Sequence, residues 1–259
     1  MKIPLYQIDA FAEKAFQGNP AAICPLSSWL ANDVMQAIAA ENNLSETAFF
    51  IETDKGFHIR WFTPTTEVDL CGHATLAAAF VIFNELAYHK DEINFDSRSG
   101  VLKVKKESSL LIMDFPTQTP IACETPKALQ QAFGIKPIQC LKEQDYLFVV
   151  ENQDDVINAQ PDLNLLKKLD LRGVIITSQS KDYDFVSRFF APNYGIDEDP
   201  VTGSAHTQLT PYWSEQLGKT TLNTKQVSQR GGELQCELLG DRVSIAGYAV
   251  KYLQGEIII

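Results

Sequence analysis

The residues of this chain whose types and spacing suit chemistry are one glutamate, two glycine-led helix starts and an aspartate followed by proline. Glu46 stands in Asn43-Leu44-Ser45-Glu46-Thr47-Ala48-Phe49-Phe50, at the mouth of an apolar, strand-like run. A partly buried carboxyl has a raised pKa and makes a useful general acid or base. An isolated Glu at a strand edge is more commonly just solvated, and composition alone does not single this one out. Gly72-His73 and Gly203-Ser204 each sit just before an apolar helical run. The first amides of a helix lack intrahelical partners and can hold an anion, and glycine lets it approach closely. Two such starts facing one cleft would cradle a carboxylate or a developing oxyanion, where one donor contributes about 3–4 kcal/mol to a transition state. Either glycine alone reads as an ordinary helix start; the pairing favours the anion site.

The other candidates are weaker. In Asp197-Glu198-Asp199-Pro200, Asp197 and Glu198 read as acids that complement a helix dipole. Asp199, nearest the Gly203 turn, suits a substrate amine or hydroxyl. His73 can donate a hydrogen bond or shuttle a proton, and His206 falls in the first turn of the second helix. His58 and His89 have no motif around them. A metal site needs three or four converging ligands, and no local spacing supplies them, so no metal is expected. The five cysteines, at 24, 71, 123, 140 and 236, are odd in number and widely spaced, with no Cys-x-x-Cys pair. That fits neither a disulfide framework nor a zinc site, and points to a reducing cytoplasm.

The elements that must position these residues follow from the patterning. Short Val-, Ile- and Phe-rich runs predict strands at 3–11, 47–52, 58–63, 93–96, 101–105, 110–115, 146–150, 173–177, 185–191, 233–238 and 242–246. Helical patterns cover 31–41, 74–86, 126–133, 163–169 and 205–217. Short polar turns such as Ser97–Gly100 favour antiparallel pairing over βαβ alternation. A weak internal repeat organises the whole. Arg60-Trp61-Phe62-Thr63-Pro64 precedes Cys71-Gly72-His73-Ala74, and Arg188-Phe189-Phe190-Ala191-Pro192 precedes Thr202-Gly203-Ser204-Ala205. In both halves an aromatic strand ends at proline, an acidic loop follows, and a Gly-x-Ala step opens a helix. The expectation is two similar lobes, each a curved sheet around one apolar helix, the second beginning near Pro116–Pro120.

Composition sets the limits. A chain of 259 residues, 45% hydrophobic, can bury one large core or two smaller ones. A net charge of -11 would repel phosphate backbones, so no nucleic-acid partner is expected. No run of eighteen apolar residues exists, so no membrane partner is expected, and the N-terminus has no signal-peptide pattern.

Taken in order, several stretches resemble the PhzF family, the phenazine-biosynthesis-like isomerases related to diaminopimelate epimerase and proline racemase. They are Gly18-Asn19-Pro20-Ala21, Leu44-Ser45-Glu46-Thr47-Ala48, Arg60-Trp61-Phe62-Thr63-Pro64, Glu67-Val68-Asp69-Leu70-Cys71-Gly72-His73-Ala74-Thr75 and Glu198-Asp199-Pro200-Val201-Thr202-Gly203-Ser204-Ala205. The resemblance implies an α/β (α+β) diaminopimelate epimerase-like fold. Its two pseudo-symmetric lobes would be residues 1–116 closed by a C-terminal strand at about 249–259, and residues 117–248. It implies that Glu46 transfers the proton and that Gly72, His73, Asp199, Gly203 and Ser204 help to form the pocket for a small carboxylate substrate. It also implies independence from metal and pyridoxal phosphate, and commonly a homodimer. Two-base racemases of this fold use a cysteine from each lobe, whereas this chain has Cys71 before Gly72 but Thr202 before Gly203. A neutral hydroxyl is far too weak a base to replace a thiolate. The preferred reading is an isomerase that shifts a proton through Glu46; an epimerase using Cys71 and a non-catalytic binding protein are the alternatives.

Overall fold

The computed structural model describes all residues, Met1–Ile259. Its contacts divide the chain into two compact units, Met1–Asp114 with Ala246–Ile259, and Phe115–Ile245.

The first unit runs β1 (Lys2–Ala10), β2 (Asn19–Leu26), α1 (Asn32–Asn42), β3 (Glu46–Thr53), β4 (Gly56–Phe62), β5 (Glu67–Val68), α2 (Gly72–Glu85), β6 (Glu92–Ser97), β7 (Gly100–Glu107) and β8 (Leu110–Pro116). Pairing is mainly antiparallel, with parallel contacts between β2 and β3 and between β4 and β6. The C-terminal strand, Ala249–Ile258, runs antiparallel to β1 from Lys2↔Ile258 to Ala10↔Ala249. Helix α2 packs against β1, β2 and β3. Its stretch Ala74-Thr75-Leu76-Ala77-Ala78-Ala79 is buried throughout, as is Val81-Ile82-Phe83. A helix apolar on all sides has no solvent face to offer, and its alanines let strands come close. On another side of the unit, Met35 and Ile38 of α1 pack with Phe49, Phe62, Ile3 and the chain-end Ile257, which fixes α1 against β3.

Strand β2 lies outside the runs expected to be strands, and it contains Pro20 and Pro25, residues that fit poorly where a strand has neighbours on both sides. The register resolves this. Partners in β1 cover Asn19–Ile23 and partners in β3 cover Ala21–Leu26, so each proline lies where only one neighbour pairs. Gly18, just before it, has φ +68°, and a Cβ there would collide with the Ala10 carbonyl.

The second unit runs β9 (Ile121–Ala122), α3 (Lys127–Phe133), β10 (Gln139–Lys142), β11 (Tyr146–Val149), α4 (Gln153–Ile157), α5 (Leu163–Leu166), β12 (Val174–Gln179), β13 (Phe185–Ala191), β14 (Ile196–Asp199), α6 (His206–Leu217), β15 (Thr221–Gln226), β16 (Gly232–Leu239) and β17 (Arg242–Gly247). Here β11–β12 and β13–β15 are parallel, and β9–β10, β10–β11, β12–β13, β13–β14 and β15–β16 antiparallel. Helix α6 is buried from His206 to Ser214, but its interior is polar and only partly satisfied: His206 Nε2, Gln208 Oε1, Thr210 Oγ1 and Ser214 Oγ have no partner. Gln208 donates to the buried Asp145 at 3.1 Å, and Trp213 Nε1 donates to Thr177 at 3.0 Å. Pro211 deprives the Thr207 carbonyl of its helical donor, and the Gln118 amide takes that place at 3.1 Å.

Candidate functional site

Glu46 is placed by the way α1 ends. Asn43 caps the helix in the left-handed region, φ 49°, and its amide closes on the Ala39 carbonyl at 3.2 Å. Asn tolerates that conformation better than most residues. The chain then turns and starts β3 at Glu46, which stands opposite Ala21 of β2. Its neighbour Thr47 accepts from Asn42 at 3.1 Å, which ties helix end to strand start. Glu46 is buried, 8% exposed.

Helix α2 supplies the facing groups. Cys71 is its extended N-cap, φ −144°, and Gly72 is its first residue. The first intrahelical donor is Thr75, whose amide and hydroxyl both reach the Cys71 carbonyl, at 3.1 and 2.6 Å. The amides of Gly72, His73 and Ala74 therefore lead the helix without an intrahelical acceptor. His73 Nε2 lies 3.2 Å from Glu46 Oε2. The contact is off-line, and neither atom makes a hydrogen bond. On the other side of the ring, Nδ1 lies 3.3 Å from the Asn19 amide and 3.5 Å from Cys71 Sγ. An amide offers a donor or an acceptor on a half turn, so Asn19 suits either protonation state of the ring.

Burial and charge set the protonation. Burial pulls the His73 pKa down, but its close neighbours Cys71 and Glu46 outweigh burial and hold the ring well above its ordinary value. The Cys71 thiol is pushed up to about 11, first by burial and then by the Glu46 charge, so it is a neutral thiol at neutral pH. The arrangement is a ring held toward its protonated form, with a neutral thiol on one side and the Glu46 carboxyl on the other. Local spacing shows no ligand cluster, yet the fold brings ligand-type atoms of Glu46, Cys71 and His73 within 4.8 Å of one another. Local spacing could not show that convergence, because Glu46 arrives from a different strand. To bind a cation the trio would have to release the thiol and imidazolium protons.

The second unit builds its helix start differently. Asp199 ends β14 and is buried. Thr202 Oγ1 donates to Asp199 Oδ2 at 2.5 Å. Gln226, from β15, accepts from the Thr202 amide at 2.9 Å and donates to the Asp199 carbonyl at 2.7 Å. Gly203 is buried and Ser204 half-buried, and the first helical donor is the His206 amide, bonded to the Gly203 carbonyl at 3.0 Å. His206 Nδ1 donates to the Thr202 carbonyl at 2.8 Å, and burial depresses this ring to about 4, so it stays neutral. Of the site residues expected from sequence, Glu46, Gly72 and His73 thus lie in the first unit, and Asp199, Gly203 and Ser204 in the second. Two functional positions carried no assignment. Asn19 stood inside the Gly-Asn-Pro-Ala motif, and Gln226 had no local signal at all.

Comparison with known proteins gives a consistent picture. The family described as phenazine biosynthesis-like protein, PhzC-PhzF, matches residues 8–255. An uncharacterized isomerase of Pseudomonas aeruginosa is 50% identical over 257 residues, covering 99% of both chains. The crystal structure of a PhzF-family phenazine biosynthesis protein from Enterococcus faecalis superposes with a TM-score of 0.98 at 46% identity, covering 100% of both chains. A hydroxyproline epimerase from Agrobacterium vitis shares the fold at 9% identity, with a TM-score of 0.61 over 99% of this chain and 92% of that one. No helix is long and apolar enough to cross a membrane.

Proposed function

The chain belongs to the PhzC-PhzF, phenazine biosynthesis-like family and has the mixed α/β, diaminopimelate epimerase-like fold; from that premise we propose that it is a cofactor-independent isomerase that shifts a proton on a small carboxylate-bearing substrate through Glu46. Relatives named as isomerases support the reaction class. The observation that carries the mechanism is the buried Glu46 carboxylate, 3.2 Å from the His73 ring and without a hydrogen bond to it. Glu46 takes a proton from one carbon of the substrate and returns it to another. The leading amides of α2, at Gly72 and His73, hold the carboxylate or the oxyanion that forms. Asp199, Gly203 and Ser204 make further substrate contacts, with Asp199 suited to an amine or hydroxyl.

His73 adds a coupling. A cation at a helix N-terminus is disfavoured by the helix dipole, so a protonated His73 depends on its neighbours Cys71 and Glu46. When Glu46 picks up the substrate proton that support is withdrawn, and His73 becomes the more ready to release its own proton. We further propose a homodimer working in the cytoplasm without metal or pyridoxal phosphate. A second reading, epimerisation by Cys71, draws on the thiol lying 3.5 Å from His73. Against it stand the raised thiol pKa and the hydroxyl at Thr202.

Solvent deuterium exchange into a panel of amino acids and cyclic hydroxy or amino acids tests both. Glu46→Gln should lower exchange by about a hundredfold or more, since it keeps shape but cannot take a proton. Cys71→Ser should do far less. Near-normal exchange in Glu46→Gln beside none in Cys71→Ser would replace the first reading with the second.

A further inference from the structure

We propose that two arginine–glutamate forks, Arg60–Glu67 and Arg188–Glu198, are one positioning device used once in each unit, and that the first holds the helix start at Cys71–His73 in register with Glu46. The clause about Glu46 rests on the function proposed above; the duplicated device does not.

The two forks match atom for atom. Arg60 donates Nε to Glu67 Oε1 at 2.7 Å and an Nη2 proton to Oε2 at 2.8 Å. Arg188 donates Nε to Glu198 Oε1 at 2.6 Å and Nη2 to Oε2 at 2.8 Å. Each guanidinium lies over the phenylalanine two residues on, Phe62 at 5.2 Å and Phe190 at 5.1 Å. Both arginines are largely withdrawn from water, at 13% and 9% side-chain exposure. The loops they bridge are not the same length: arginine and glutamate are 7 residues apart in the first unit and 10 in the second. Despite that difference, each glutamate stands four positions before the residue that precedes the helix glycine, Glu67 before Cys71 and Glu198 before Thr202. What is kept is the spacing from the fork glutamate to the glycine step that leads into the helix, Gly72 at the start of α2 and Gly203 in the turn before α6. A general stabilising ion pair would have no need to keep it.

The strand order explains the effect. Arg60 stands opposite Phe49 on β3, the strand that begins with Glu46, and Glu67 on β5 stands opposite Phe62 on β4. The fork thus ties β5 to the sheet on which Glu46 rides, and α2 starts shortly after β5. Arg98 adds a further bond to Glu67 Oε2 at 2.8 Å, and Asn32 receives the remaining Arg60 Nη2 donor at 2.9 Å. In the second unit, Arg188 Nη1 instead donates to the Ala159 carbonyl at 2.7 Å, beyond the end of α4. These anchors differ, whereas the carboxylate fork is shared. Only arginine presents two parallel donors side-on; lysine keeps the charge but offers a single point. On this reading Glu198, which in sequence reads as a helix-dipole acid, is instead the fork acceptor of its unit.

The test uses the full chain and a two-by-two design: Arg60→Lys and Arg188→Lys, each read by amide hydrogen exchange at Thr75 and at His206, the first helical donors after each start. Arg60→Lys should speed exchange at Thr75 by about tenfold or more and leave His206 unchanged, and Arg188→Lys should do the reverse. In the deuterium assay Arg60→Lys should lower kcat at near-constant KM, because it displaces the base relative to the substrate. Equal acceleration at both amides, or at neither, overturns the positioning role. Substrate exchange that is absent even from the wild type would instead remove the Glu46 reading and leave the amide pattern to decide the forks.

Discussion

At the first helix start, Cys71 is a neutral thiol beside a histidine whose pKa is raised and the buried Glu46; at the second, Thr202 is a hydroxyl committed to Asp199, with its amide committed to Gln226. The backbones solve one problem in the same way. The carbonyl before the glycine is capped by the side chain four residues on, Thr75 in one unit and His206 in the other. The chemistry around that shared backbone is opposite. The first unit sets the unpaired atoms of an acid and a ring, Glu46 Oε2 and His73 Nε2, against each other at 3.2 Å, which is costly to folding and useful for moving a proton. In the second, the Thr202 hydroxyl and amide and His206 Nδ1 are engaged, and the His206 ring, its Nε2 without a partner, is neutral with no acid beside it. The difference teaches that a duplicated scaffold need not carry duplicated chemistry, and it supports the one-sided proton shift proposed above.

The contrast can be broken most directly in kinetics. Asp199→Asn should raise KM by about tenfold, the loss of one charged hydrogen bond, with kcat little changed. Glu46→Gln should lose its hundredfold in kcat. If Asp199→Asn instead matches Glu46→Gln in kcat, the second unit takes part in proton transfer and the asymmetry fails.

The two buried histidines sharpen it through pH. His206 is depressed to about 4, so the unfolded chain binds its proton near pH 6.5 while the fold does not. Its contribution to stability is complete above pH 6.5 and is lost as pH falls toward 4, about 3 kcal/mol in all. His73 is raised, so the stability it adds is complete below its unfolded value and is lost as pH climbs through its elevated one. Urea melts of wild type and His206→Gln at pH 7 and 4.5 should show wild type losing more stability on acidification. Parallel losses would mean that His206 is not held neutral.

The elements that carry the candidate residues were legible in the sequence: the repeat marked both helices, and the ordered motifs put Glu46 at a strand start and Gly72 and Gly203 at the steps into those helices. What stayed hidden depended on contacts between distant segments. The Glu46–Cys71–His73 cluster joins a strand start to a helix start. Gln226 reaches Asp199 from β15, across 27 positions. Strands β10 and β15 and helix α4 are short and carry little periodicity, and α5 ends at Leu166, ahead of the expected 169. The helix pattern began at Ala74, whereas α2 starts at Gly72, because the reading followed apolar side chains and the helix is defined by backbone bonds.

The smallest expected effect falls on Thr202. Thr202→Val keeps the branched shape and removes the hydroxyl that donates to Asp199 at 2.5 Å and lies 3.1 Å from Gln226 Nε2. A hydrogen bond to a charged acceptor is worth about 1.5–3 kcal/mol net, and this one is buried. Gln226 keeps its bonds to the Thr202 amide and the Asp199 carbonyl, so the loss should fall toward the low end, about 1.5 kcal/mol. The proton-transfer rate should change less than tenfold, because the hydroxyl positions a binding group and exchanges no proton with substrate. Denaturant melts together with deuterium exchange would check both halves. A Thr202→Val protein of unchanged stability but hundredfold slower exchange would make the hydroxyl a reactive group, and the two helix starts would then be chemical partners after all.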